Sequence, residues 1–113
     1  MRRDLETLRS LLAEDAAFSM PPWASWWRGR DEVMLVLAEG AEVSPPSRAI
    51  ATRANAQPAL GYYILEKDAG RYVPAAFEVI TLDGPAIVEI TAFITPDVFP
   101  AFGLPPELRP SAP

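Results

Sequence analysis

Three polar side chains, Arg53, Asn55 and Gln57, alternate within a stretch that is otherwise mostly apolar. On an extended chain, residues two apart project to the same side. The stretch would then present a guanidinium and two amides together, with Ile50 and Thr52 on the opposite side. That set of donors and acceptors suits the oxygen atoms of a small molecule. The competing structural reading is that Asn55 and Gln57 satisfy the backbone of a turn. A second group is aromatic: Trp23, Trp26 and Trp27 fall within five residues, close to Met20. Indole rings offer large apolar area with one donor each, so they can wall a pocket, close a core or form a contact surface. The expected ligand site is Met20, Trp23, Trp27, Arg53, Asn55, Gln57, Tyr63 and Phe93.

Proton-transfer chemistry has few carriers in this sequence. There is no histidine and no cysteine. The commonest general base, the commonest metal ligand and the thiol nucleophile are therefore missing, and neither a metal site nor a cofactor is expected. The weak catalytic candidates are Glu78, Glu89 and Tyr63. Glu78 and Glu89 stand inside apolar segments, and a carboxyl facing a dry cavity would have a raised pKa. Phe77 and Val79 flank Glu78 on the opposite parity, which favours an outward glutamate. Tyr62 and Tyr63 are adjacent and so point to opposite faces, while Arg28, Arg30 and Asp31 read as a turn ion-pair cluster. Without imidazole, a titration step between about pH 6 and 7.5 would mark a carboxyl with a raised pKa.

The chain has 113 residues, enough for one modest core. Half of its residues are hydrophobic and 22% are charged, an ordinary globular balance that argues against disorder. The net charge of −5 disfavours sequence-independent phosphate binding, so no direct nucleic-acid partner is expected. No run of 18 apolar residues spans a membrane, and the amphipathic N-terminus is no signal core. A cytoplasmic location is the default expectation.

The elements that must position these residues follow from periodicity and turn chemistry. Leu5, Leu8, Leu11 and Leu12 predict a helix over residues 4–14, with Asp4 as N-cap. Residues 15–20 read as a short strand ended by Pro21-Pro22, and Arg28-Gly29-Arg30 as a turn. Asp31 would cap a second helix over residues 32–39, with Gly40 just past its end and Pro45-Pro46 in the following loop. Four β-rich segments follow, at 48–55, 59–66, 72–82 and 86–94, in an order that suits an antiparallel meander. Pro74 marks an edge or a bulge. Helices first and an antiparallel sheet afterwards imply an α+β domain in which two short helices cover one face and leave a cavity between the layers. A Pro-rich tail, residues 105–113, ends the chain.

Several segments resemble the SnoaL-like C-terminal domain of extracytoplasmic-function sigma factors. They are Leu11-Leu12-Ala13-Glu14-Asp15, Ser19-Met20-Pro21-Pro22, Trp27-Arg28-Gly29-Arg30, Asn55-Ala56-Gln57-Pro58-Ala59, Ile90-Thr91-Ala92-Phe93 and Phe102-Gly103-Leu104-Pro105. The resemblance covers residues 1–104 and implies the nuclear-transport-factor-two-like cone, a curved antiparallel sheet packed on N-terminal helices around a pocket. The chain is expected to depart from that pattern in three ways: no sigma regions, a shortened first helix, and Ala56 where the relatives carry glycine. Limonene-type epoxide hydrolases of this fold use an Arg-x-Asp pair, and Arg53-Ala54-Asn55 lacks its acid. Steroid-isomerase relatives use an Asp base, and no Asp falls within the four main strand segments.

The function this implies is a non-catalytic domain that binds a small apolar ligand with a polar head, or a protein partner such as RNA polymerase sigma regions, in transcription regulation. The alternatives are an isomerase, cyclase or epoxide hydrolase acting on a hydrophobic small molecule, and a homo-oligomerisation module. A homodimer is expected through an uncovered outer sheet face, with Tyr62, Ile64, Ile80 or Val88 in the contact.

Overall fold

A computed structural model describes residues 2–43, 46–68 and 70–109. The elements are α1 (Arg2–Leu11), β1 (Leu12–Ser19), β2 (Trp26–Arg28), α2 (Arg30–Val43), β3 (Ser47–Ala54), β4 (Gln57–Glu66), β5 (Arg71–Asp83) and β6 (Ala86–Phe93), followed by a 3-10 helix, Pro96–Phe102. The six strands form one unclosed sheet in the order β2-β1-β6-β5-β4-β3. The expected meander is present, since β3 to β6 pair antiparallel in sequence order. β1 joins its far side, parallel to β6 and antiparallel to β2. The α+β cone expected of the fold class is therefore formed. No helix among the described residues is long and apolar enough to cross a membrane.

Alternation along the strands divides the apolar residues between two cores. On the helix side, Leu12, Ala16 and Phe18 of β1 meet Ile87, Ile90 and Ala92 of β6 and Val33 of α2. Met20, Trp27, Met34, Val36, Leu37 and Ile80 pack around them. On the opposite face, Ala54, Ala59, Tyr63 and Phe77 meet Phe99 and Leu104 from the C-terminal segment. Burial of side chains of this size stabilises the fold by about 1.5–3 kcal/mol each, which is why each face acquires a cover.

The second cover corrects the expectation of a bare outer face. The 3-10 helix lies across the sheet, with Phe102 stacked on Phe77 at 4.4 Å and Phe99 edge-on to Tyr63 at 5.1 Å between ring centroids. Tyr63 is fully buried and its hydroxyl donates to the Pro105 carbonyl at 2.8 Å. Tyr72 and Leu108 exchange backbone hydrogen bonds, so the tail is pinned to the sheet edge as far as Leu108. Residues 110–113 of the expected tail, and Pro45 of the expected loop, lie outside the described residues. Of the residues named for a dimer contact, Ile80 packs into the helix-side core and Tyr62 shares that face by register. Ile64 follows the same alternation, and Val88 is the extra residue where β6 slips register against β5.

Four local boundaries also differ from the sequence pattern. α1 ends at Leu11, because Leu12 is taken into the sheet opposite Ile87 and is almost wholly buried. Asp4 therefore lies inside α1 rather than capping it. The tryptophan segment contributes a strand, since Trp26, Trp27 and Arg28 pair with Ser19, Phe18 and Ala17. α2 continues through Gly40 to Val43. At Pro74 the register against β4 shifts, leaving Ala75 without a partner, which is the bulge the proline predicts.

Two positions test the backbone directly. Asn55 (φ 53) and Ala56 (φ 68) both occupy the left-handed region in the two-residue turn joining β3 to β4. That geometry suits Asn-Gly, and an alanine there is strained by roughly 1 kcal/mol. Ala56→Gly should therefore raise stability by about 0.5–1 kcal/mol in urea unfolding. At Gly61, a Cβ would meet Leu104 Cδ1 at 2.6 Å and Phe99 Cε2 at 3.2 Å. Gly61→Ala should push the C-terminal cover outward and cost about 1–3 kcal/mol, read as a lower urea midpoint.

Candidate functional site

The register of the central strands fixes where each candidate side chain stands. Phe77 faces the C-terminal cover, so its neighbour Glu78 must face the helix side. Glu78 lies opposite Leu60 on β4 and Ala92 on β6. Leu60 in turn pairs with Ala51 on β3. Met20, one residue beyond β1, continues the row past Ala92 and packs in the helix-side core. One row of the sheet therefore reads Met20, Ala92, Glu78, Leu60 and Ala51, with a single polar side chain at its centre. α2 packs against β1 and β2, and its cover reaches Ile80 but leaves Ala51 exposed and Leu60 half-buried.

Glu78 accepts no hydrogen bond and makes no ion pair within the described residues. Glu78 is half-buried, and that partial burial among apolar neighbours raises its pKa to about 7 from an ordinary 4.5. Desolvation disfavours the charged form, and nothing nearby offsets it. The outward glutamate favoured by the sequence pattern is thus not what the fold produces. The sheet has two covered faces, so leaving the Phe77 side does not lead straight to solvent. Glu89, by contrast, pairs with Thr81 and is exposed.

The residues expected to line one site are distributed over several places. Met20 and Trp27 lie on the helix side, with Trp27 tilted against Phe18 at 5.6 Å between ring centroids. Arg53 faces the same side by its pairing with Pro58, is exposed, and donates to the Ala56 carbonyl at 3.3 Å. Gln57, Tyr63 and Phe93 belong to the opposite face. Gln57 donates to Thr81 Oγ1 at 2.9 Å, and Tyr63 holds the C-terminal segment. Burial pushes the Tyr63 phenol above its usual pKa of 10.0. Asn55 occupies the turn, and Trp23 is exposed in the loop before β2. The turn between Arg53 and Gln57 breaks the extended run on which their common parity depends. The expected cluster of Arg28 and Arg30 with Asp31 is also rearranged: Asp31 accepts from Arg9 of α1 at 2.7 Å.

Two open clefts, of about 410 and 360 Å³, lie around the start of α2 and between α1 and α2. The first is lined by charges of both signs, among them Arg9, Glu14, Arg30 and Glu32. Leu5, Met34, Leu35 and Ala38 line the second. Neither includes a residue of the Glu78 row. Chemically, that row offers an apolar platform with one carboxyl that is half ionised near neutrality. It can bind an apolar body, accept a hydrogen bond or exchange a proton. Glu78 was identifiable in the sequence only as a glutamate inside an apolar strand. Its neighbours Leu60 and Ala92 depend on cross-strand register, which the sequence does not state.

No family model matches the chain. It is similar to the ECF RNA polymerase sigma factor SigG of Mycobacterium tuberculosis, with 28% identity over 107 residues, 93% of this chain and 28% of that protein. The chain thus spans little more than a quarter of the length of the sigma factor it matches. Among solved structures, an NTF-2 like protein of unknown function from Burkholderia xenovorans covers 97% of this chain and 75% of its own, with a TM-score of 0.63 and 13% identity. A steroid delta-isomerase from Pseudomonas aeruginosa covers 81% of this chain and 68% of its own, with a TM-score of 0.65 and 24% identity. The chain has the nuclear-transport-factor-two-like fold and resembles a segment of an extracytoplasmic-function sigma factor.

The raised pKa fixes the sign of a pH effect. Below about pH 4.5 Glu78 is protonated in both folded and unfolded chains. Between about 4.5 and 7 the unfolded chain has released its proton and the native one has not. The native state binds more protons there, so stability falls as pH rises. Glu78 should contribute a loss of about 3 kcal/mol between pH 4.5 and 8. Urea unfolding across this range should show a smaller decline in Glu78→Gln, which becomes more stable than the parent at pH 8.

Proposed function

We propose that this chain is a SnoaL-like regulatory domain whose helix-side sheet face binds a small apolar ligand with a polar head. The observation that carries the reading is the row centred on Glu78, where an otherwise apolar, incompletely covered face holds one unpartnered polar group. Binding surfaces of this type combine apolar walls with few polar groups that set orientation. The similarity to a sigma factor supports placing the ligand signal in transcription, in a larger protein where this domain would act on the sigma regions or on RNA polymerase. Such a role belongs to the cytoplasm.

A second reading, an isomerase or cyclase acting on a hydrophobic small molecule, draws its support from Glu78 as a proton acceptor poised near neutral pH. Proton abstraction next to a carbonyl also needs a donor for the developing oxyanion. Tyr63, the phenol expected to take part, is engaged with Pro105 on the other face. Binding is therefore the better-supported reading.

Adamantanol, an apolar body with one hydroxyl, is a suitable probe. Its binding is read by calorimetric titration. Leu60→Lys, which places a long cationic chain in the row, should weaken binding at least about tenfold while the far-UV circular dichroism stays unchanged. Equal affinity in parent and variant, or no binding to the parent at all, would overturn the reading.

A further inference from the structure

The polar head that suits this face can be specified further, on the premise that the face is a ligand site. Around Glu78 the sheet supplies Ala76 and Ile80 along β5, Leu60 across β4, and Ala92 and Ile90 on β6. From beyond the sheet, α2 directs Val33, Val36 and Leu37 at the helix-side core, and Phe18 and Met20 come from the β1 side. Two further ionisable groups share the face by register. Arg53 is at the far edge, with its guanidinium bonded to the Ala56 carbonyl, and Tyr62 is on β4, with a partner of its own. No cation among the described residues compensates the Glu78 carboxylate. An anionic ligand head would add a second negative charge beside it. A neutral hydroxyl would leave the desolvated charge unbalanced. A cationic donor would supply both the missing charge and the missing hydrogen bond.

We propose that the helix-side face selects an apolar amine, whose ammonium group pairs with the Glu78 carboxylate while its hydrocarbon body lies on Leu60 and Ala51. The pairing holds Glu78 ionised in the complex, so the site takes its ligand with release of the Glu78 proton when it binds below neutrality. Amine affinity therefore rises with pH across the range in which the free carboxyl loses its proton, while the amine itself stays charged.

Calorimetric titration of the whole chain with adamantylamine, adamantanol and adamantane carboxylate, at pH 5.5 and 8, tests this. At pH 8 the amine should bind about tenfold more tightly than the alcohol, as expected for a hydrogen bond between charged groups, and the carboxylate most weakly. At pH 5.5 the amine's advantage should shrink by about tenfold. Glu78→Gln keeps the shape of the site and should bind amine and alcohol equally at both pH values. Alcohol binding with no preference for the amine, or a preference that survives in Glu78→Gln, would overturn the amine assignment and leave the ligand-site reading standing. If none of the three probes binds, both fall.

Discussion

The alternation at Phe77 and Glu78 is the constraint on which the two sides of this sheet depend. Phe77 is almost wholly buried against Phe99 and Phe102, and that aromatic cluster anchors the C-terminal cover. Burying a phenylalanine is worth about 1.5–3 kcal/mol. A strand cannot turn two consecutive side chains to the same face without a bulge, and β5 has none between Phe77 and Glu78. Placing Phe77 correctly therefore forces Glu78 onto the helix side, at a cost of similar size in desolvating its carboxyl. A functional group is carried into an apolar setting by the packing of its neighbour.

The same alternation explains how far the chain could be read without coordinates. The meander was legible because turn-forming residues at Ala56-Gln57-Pro58 and Asp83-Gly84-Pro85 punctuate β-rich runs, although the first turn falls at Asn55-Ala56, and the bulge at Pro74 followed from a missing donor. The expectation for Glu78 took Phe77's burial as evidence for an exposed glutamate. It lacked one fact, that residues 96–108 fold back as a second cover and leave both faces of β5 at least partly shielded. A tail rich in proline reads as irregular chain. Here its apolar residues, Phe99, Phe102 and Leu104, are what the sheet needed on that side. Similarly, Leu12 continues the helical leucine pattern, yet pairing with Ile87 draws it into β1.

The candidate site was legible only in part, and the reason is topological. Arg53 and Gln57 share a parity along the sequence, but a two-residue turn separates them, so they reach opposite faces. Met20 and Trp27 did fall on the helix side, and there they support the core that the Glu78 row adjoins. Residues brought together by register, such as Leu60, Glu78 and Ala92, are distant in sequence and carry no local signature. Likeness to solved structures gives the fold, and the chemistry of this particular face comes from its own glutamate.

The central claim is that Glu78 is desolvated and unpaired on the helix-side face. Its carboxyl carbon can be followed by NMR in chain labelled with ¹³C at the glutamate side chain, with Glu78→Gln supplying the assignment. The account predicts a midpoint near 7 for this one glutamate. A midpoint close to 4.5, the ordinary value, would mean that the carboxyl is solvated, and would contradict both the placement of Glu78 and the function drawn from it.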